Sequence, residues 1–217
     1  MGIAHDTIPQ LRKRINSFRP KYVQDWIAWM RTPTADRACE LKRILGKWQG
    51  CRGNTLRLAA AEGYALHSPA YLGDLLVRAQ NHVDTLRSFD LRSNGSYTKQ
   101  ACDALRALWE IFEDLSYARP NPDRKRPPPR KGKAGVVGIS KATLLITEGR
   151  VGPAFDSRVR RKMGMRRISN AEEWLSALQR ATADIAAFER RNQITLEAAT
   201  KLTLPPGRIY DMALGPS

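Results

Sequence analysis

Large apolar residues recur along this chain at intervals of three and four, and the runs are cut by cap-and-proline signals. Both features call for helices. In residues 22–31 the spacing sets Tyr22, Val23, Trp26, Ile27 and Met30 on one face. Thr32-Pro33 reads as a stop and a new start, with Thr32 as N-cap and Pro33 in the first turn. Ala38, Leu41, Leu45 and Trp48 form the next stripe, ended by Gly50 and Gly53. Ser68-Pro69 repeats the start signal ahead of Leu72, Leu75, Leu76, Ala79, Val83 and Leu86. Asn94-Gly95 marks a turn. Residues 98–117 carry Ala101, Leu105, Leu108, Trp109, Phe112 and Leu115. Helix returns over 140–148 with Gly149 as its stop, then briefly between Asp156 and Gly164. A long helix over 170–193 opens on the capping-box pattern Ser169-x-x-Glu172 and buries Trp174, Leu178, Ala181, Ile185 and Phe188. Residues 208–214 form a terminal helix after Pro205-Pro206-Gly207.

No run alternates with period two, so the expected fold class is all-α, a helical bundle-like domain. Residues 118–133 hold five prolines and no large apolar residue, which makes them a loop or extended arm. The chain therefore divides into a helical lobe over 1–117, a basic Pro-rich loop over 118–134 and a helical segment over 135–217, packed as one unit. Trp26, Trp48, Trp109 and Trp174 sit on helix faces and are read as core. Trp29 lies off its stripe and is expected at the surface.

A chain of 217 residues with 42% hydrophobic content can bury a core without disulfides or metals. Its apolar runs are too short to span a bilayer, and the first ten residues lack the apolar stretch of a secretory signal. Three scattered cysteines, Cys39, Cys51 and Cys102, indicate reduced thiols and a cytoplasmic setting. With only His5, His67 and His82 beside them, no usual zinc spacing can be assembled and no cofactor is expected.

The net charge of +16 is not spread evenly. Three segments hold 18 of the 37 basic residues and one of the 21 acids. They are Arg12, Lys13, Arg14, Arg19 and Lys21; the arm with Arg119, Arg124, Lys125, Arg126, Arg130, Lys131 and Lys133; and Arg158, Arg160, Arg161, Lys162, Arg166 and Arg167. A charge run is often only a solvated face. Three runs without compensating acids repel one another unless an anionic partner neutralises them. Arginine-rich phosphate contact favours nucleic acid, DNA or RNA, over a membrane surface, which would ask for bulky apolar residues among the bases.

The segment over 135–165 carries the candidate chemistry. Gly135-Val136-Val137-Gly138 reads as a turn into a helix capped by Ser140, with Lys141 in its first turn. Such a turn presents backbone N–H groups to an anion; an ordinary turn into a core helix accounts for it equally well. Asp156 reads as the N-cap of a basic helix beginning at Ser157, a position that also aims a carboxylate outward.

Gly135, Gly138, Lys141, Pro153, the run Phe155-Asp156-Ser157-Arg158-Val159-Arg160 and Gly164 together resemble the helix-hairpin-helix DNA glycosylases and AP lyases, the endonuclease III-like superfamily. The resemblance covers about thirty residues of the 217. It implies a two-lobed helical fold, binding of DNA and extrusion of a nucleotide. It also implies Asp156 as the acid that assists N-glycosidic bond cleavage and Lys141 as a nucleophile at the sugar. Gly135, Gly138, Ser140, Arg158, Arg160, Arg161 and, from the arm, Arg124, Lys125, Arg126, Arg130 and Lys131 would hold the DNA. The chain departs from that pattern in several ways. Its glycines are three apart, the stretch from Lys141 to Asp156 is about a turn short, the hairpin's first helix is replaced by the Pro-rich arm, and the four-cysteine iron–sulfur motif is absent. A non-catalytic nucleic-acid-binding module on the same scaffold is a second reading, and a protein-interaction subunit whose basic arm docks on an acidic partner is a third.

Overall fold

The computed structural model of the chain describes residues 2–50, 63–119 and 133–216. Among these residues the fold is all-α apart from one short ribbon. The first helix, α1 (Ile8–Asn16), starts on a capping box in which Thr7 and Gln10 exchange side-chain bonds to backbone. The chain continues through α2 (Pro20–Arg31) and α3 (Arg37–Lys47). Strand β1 (Gly63–Leu66) is followed by α4 (Pro69–Thr85) and α5 (Lys99–Glu113). Strand β2 (Ser116–Arg119) pairs antiparallel with β1, Leu66 facing Ser116 and Gly63 facing Arg119. Then come α6 (Val136–Ile146), α7 (Ser157–Lys162), α8 (Ala171–Asn192), α9 (Leu196–Thr200) and α10 (Pro206–Leu214).

The ribbon corrects the expectation of no strands. Each of its strands is four residues long, too short to display an alternation, and β2 takes residues that the helical stripe had extended to Tyr117. Other boundaries shift for local reasons. Thr32 ends α2, its hydroxyl donating to the Ala28 carbonyl, and a 3-10 turn over Thr34–Asp36 intervenes before α3. Asn170, not Ser169, caps α8 by accepting from the Glu173 amide, while Glu173 accepts from the Ser169 amide. The face of α2 is also rotated from the predicted one. Ile27 and Met30 are each 43% exposed, whereas Trp29 is fully buried and donates from Nε1 to the Leu145 carbonyl at 2.7 Å. Trp29 is thus core, not surface: an indole that reaches a carbonyl can be buried without losing its hydrogen bond.

The helices do not group in chain order. Helices α2 to α6 pack on one another through α3–α4, α4–α5, α5–α6 and α3–α6 contacts, while α1 packs on α9 and α10, and α7 on α10. Helix α8 touches both α5 and α9, joining the two groups. Asp184 on α8 ties the chain ends together, accepting from the Ile3 and Ala4 amides at 2.7 and 3.0 Å and from the Tyr210 hydroxyl at 2.6 Å. Helices α6 and α10 are buried nearly all round, the pattern of central helices rather than surface ones. No helix among the described residues is long and apolar enough to cross a membrane.

Gly207 opens α10 against the loop that follows α6. A Cβ there would lie 2.5 Å from the Gly149 carbonyl oxygen and 2.9 Å from the Gly152 nitrogen, both backbone atoms. Gly207→Ala is expected to destabilise the fold by about 1–3 kcal/mol through overpacking, read as a lower urea midpoint.

Asp25 supplies a second test. It is buried beneath the Lys47 ammonium at 2.8 Å, the Trp48 Nε1–H at 2.9 Å and the Arg43 guanidinium at 3.2 Å. Burial alone raises its carboxyl, but the hydrogen bonds from Lys47, Trp48 and Arg43 together outweigh it and hold the group below its ordinary value. A depressed folded pKa stabilises above the unfolded value of about 3.9 and loses that contribution as pH falls through the folded value. Stability measured by denaturant titration is expected to decline below about pH 4, and Asp25→Asn to flatten that decline.

Candidate functional site

The site is built where α10 enters the core. Arg208, in the first turn of α10, is 1% exposed. Its guanidinium lies 4.7 Å from the centre of the Trp26 ring, 5.2 Å from Phe18 and 5.9 Å from Trp48. A weakly hydrated planar cation tolerates such an aromatic cage. Its charge is met one turn along by Asp211, whose Oδ2 accepts from Nη1 at 2.7 Å, and Nη2 donates to the Tyr22 carbonyl at 3.1 Å. The other oxygen of Asp211 accepts from the Ala154 amide at 3.0 Å. Burial is the larger influence on Asp211 and raises its carboxyl; Arg208 and the Ala154 amide oppose the rise.

The Ala154 amide belongs to the loop between α6 and α7, in which the Gly152–Pro153 peptide is cis. Ser140 holds the next residue. Its hydroxyl donates to the Val136 carbonyl at 2.6 Å and accepts from the Phe155 amide at 2.9 Å. Phe155 is fully buried, and Asp156 emerges directly after it. Asp156 caps α7 as the sequence indicates, with Oδ1 accepting from the Arg158 and Val159 amides at 2.8 and 2.9 Å. Both cap bonds fall on the same oxygen, so the cap does not consume Oδ2.

Lys141 reaches the same place from α6. Its ammonium donates to the Trp48 carbonyl, which ends α3. Lys141 and Asp156 both line a small pocket with Phe18, Tyr22, Trp48 and Arg208. The pocket has a volume of about 20 Å³, enough for one water.

The predicted glycine turn is not there. Helix α6 begins at Val136, so Gly138 and Ser140 lie inside it and are buried, and only Gly135 is exposed at the N-cap. Ser140 is a helix-interior hydroxyl that pins the neighbouring loop, not a cap open to an anion. The apolar run around Gly138 explains the difference: it lets the helix start earlier than the glycine pair suggested. Arg124, Lys125, Arg126, Arg130 and Lys131 lie outside the described residues.

Two of the basic segments do converge. Lys162 is half-buried; burial lowers its ammonium, and the charges of Arg14 and Arg158 lower it further. Tyr22 is raised by burial and feels Arg19, Asp156 and Arg158 together. The start of α2, the end of α1 and the whole of α7 therefore share one electrostatic neighbourhood around Asp156. Arg19, Lys21, Arg161, Arg166 and Arg167 are exposed there or on the adjoining chain. The pocket residues that sequence reasoning assigned to packing are Tyr22, Trp48 and Arg208. Of these, Arg208 carried a readable signal, a lone Arg–Asp pair three residues apart in an otherwise apolar helix.

Among the described residues no group of His, Cys, Asp or Glu could hold a metal ion. No family model, curated protein or solved structure matches this chain.

Removing Asp211 would leave the Arg208 charge buried and unpaired and the Ala154 amide without its acceptor. Asp211→Ala is expected to cost about 3–5 kcal/mol, seen as a large drop in the denaturation midpoint. Asp211→Asn, which retains an oxygen for Ala154, should fall between that variant and the natural chain.

Proposed function

We propose that this chain binds nucleic acid through the basic surface of α1, α2 and α7, and that it acts on DNA in the manner of a helix-hairpin-helix glycosylase. Asp156 would then be the carboxylate at the reacting sugar. The single observation that carries the reading is that Lys141 and Asp156, fifteen residues apart, line one pocket where two basic segments meet. The grouping of the helices into two sets joined by α8 accords with a two-lobed fold of that kind.

In this reading the exposed arginines take phosphates, and the extruded nucleotide presents its glycosidic bond to Asp156. The carboxylate offsets the positive charge that develops on the sugar as the base departs, or takes a proton from the attacking water. Lys141, once deprotonated and released from the Trp48 carbonyl, would attack C1′ and displace the base; transfer of the amine proton to O4′ with cleavage of the C1′–O4′ bond would then open the sugar ring and give the Schiff base.

The size of the pocket favours a second reading. A volume of about 20 Å³ admits a water and not a base, so the same surface would serve a non-catalytic binding module unless the pocket widens on binding.

Asp156→Asn separates the two, because asparagine caps a helix as well as aspartate and leaves the fold intact. On duplexes carrying single lesions or abasic sites, the enzyme reading expects the variant to lose cleavage by a factor of about 10²–10⁴ while binding is retained or tightened. Borohydride should trap a protein–DNA adduct that maps to Lys141. Absence of cleavage across a broad lesion panel, or cleavage undiminished in the variant, would sink the enzyme reading and leave the binding one. Both readings expect affinity to fall with salt, by a slope of about −0.9 per phosphate neutralised. Arg161→Glu with Arg166→Glu should flatten that slope; salt-independent binding would overturn both.

A further inference from the structure

A second concavity shares no lining residue with the Asp156 pocket. It has a volume of about 790 Å³ and lies among the turn after α2, the helices α3 and α4, and the segment that follows α6. That volume is within the range of small-molecule sites, whereas ordinary packing defects hold a water or two. Its apolar lining includes Trp29, Ala38, Leu76 and Ile146, with Val77, 77% exposed, among the lining residues as well. Trp29 is a fixed wall, since its Nε1–H is held by the Leu145 carbonyl.

The charged residues lining the cavity are three arginines and two acids. Arg87 and Asp84 pair at 2.8 Å and offset each other. Arg37 and Arg150 share the one remaining acid, Glu148, at 3.7 and 3.6 Å. Both separations are longer than a hydrogen bond. The Nε of each arginine is buried and has no hydrogen-bond partner among the described residues. The Arg37 guanidinium also lies over the Trp29 ring, 5.2 Å from its centre. Two forked donors with one loosely held acid between them are an incomplete arrangement: buried N–H groups in folded proteins are almost always satisfied, and guanidinium groups match carboxylate-like anions with paired bonds. The cavity thus combines aliphatic walls, with the Trp29 ring behind the Arg37 guanidinium, and an excess of one positive charge.

We propose that this cavity is a binding site for a small organic anion, its apolar body seated against Leu76 and Val83 and its anionic group taken by Arg37 and Arg150. The proposal is independent of nucleic-acid binding. It fixes the class of ligand: a molecule that is apolar over most of its surface and ends in a carboxylate, sulfonate or phosphate. A neutral molecule of the same shape would fill the walls but leave the arginines as they are.

A matched pair of fluorescent probes tests it on the full chain. 1-Anilinonaphthalene-8-sulfonate and N-phenyl-1-naphthylamine share the aromatic body and differ in the sulfonate. The anionic probe is expected to bind one per chain, at least tenfold more tightly than the neutral one. Arg37→Gln with Arg150→Gln should remove that preference while the neutral probe binds as before, which also reports that the cavity has kept its shape. The single variants, each expected to lose part of the preference, give the same readout should the double variant fail to fold. Gln80→Trp, which places a large ring in the cavity, should weaken both probes. Equal affinity for the two probes, several anionic probes per chain with no response to the arginine variants, or no binding at all would overturn the assignment. The response to the cavity variants separates this site from attraction to the basic face, which they leave unchanged.

Discussion

The buried Arg208–Asp211 pair is the constraint on which the rest of this fold turns. A guanidinium that is fully desolvated needs every available compensation, and here the compensations come from three separate parts of the chain. Phe18 and Trp26 flank it from α2 and the residues before it, Trp48 from the end of α3, the Tyr22 carbonyl from α2 and Asp211 from its own helix. Asp211 in turn holds Ala154, and so fixes the loop from which Asp156 emerges. Breaking such a pair is far more costly than its net contribution would suggest, because the surviving charge has nowhere to go. The last helix is therefore the keystone of the site, although it lies about fifty residues beyond it in sequence.

The distribution of charge acquires a meaning that its position along the chain does not supply. The segments around Arg14 and Arg158 are almost 150 residues apart, yet both act on Lys162. Helix α1 reaches α7 through α10, since both pack on that helix. Concentrating like charge in this way works against folding, and the cost is reduced where acids are set into the same surface: Asp6 takes Arg14 at 2.8 Å, and Asp156 sits at the head of α7. What remains exposed is arginine and lysine with few local acids.

Much of the helical framework was legible because burial in a helix leaves a period. The stripes of α4, α5 and α8 read directly onto buried Leu72, Leu105, Leu178 and their neighbours, and Ser68-Pro69 starts α4 where the cap signal places it. Asp156 was readable as a cap for the same local reason. Where interactions are non-local the sequence reads less well. Trp29 was misplaced because its burial depends on a carbonyl at the end of α6, and Ser140 because its hydroxyl serves a loop fifteen residues on. Helices α1 and α9 are short and carry few apolar residues, yet each has its own signal in hindsight: the Thr7–Gln10 capping box and the Thr195 cap. The ribbon needed pairing across about fifty residues, and no property of either four-residue strand announces it.

Trp48 shows why stability and any chemistry at this site cannot be treated separately. Its indole N–H goes to Asp25, its ring faces Tyr22 at 5.5 Å and Arg208 at 5.9 Å, and its carbonyl receives Lys141. A carbonyl at a helix end has lost its partner within the helix, so the lysine satisfies a group that would otherwise be buried unpaired. The ammonium that the resemblance makes a nucleophile is thus part of what ends α3. For Lys141 to leave that bond, the Trp48 carbonyl must find water or another donor, and the pocket of about 20 Å³ that Trp48, Lys141 and Asp156 line has room for one water. The arrangement ties the two residues to one small space, so any movement of Lys141 disturbs both the end of α3 and the surroundings of Asp156.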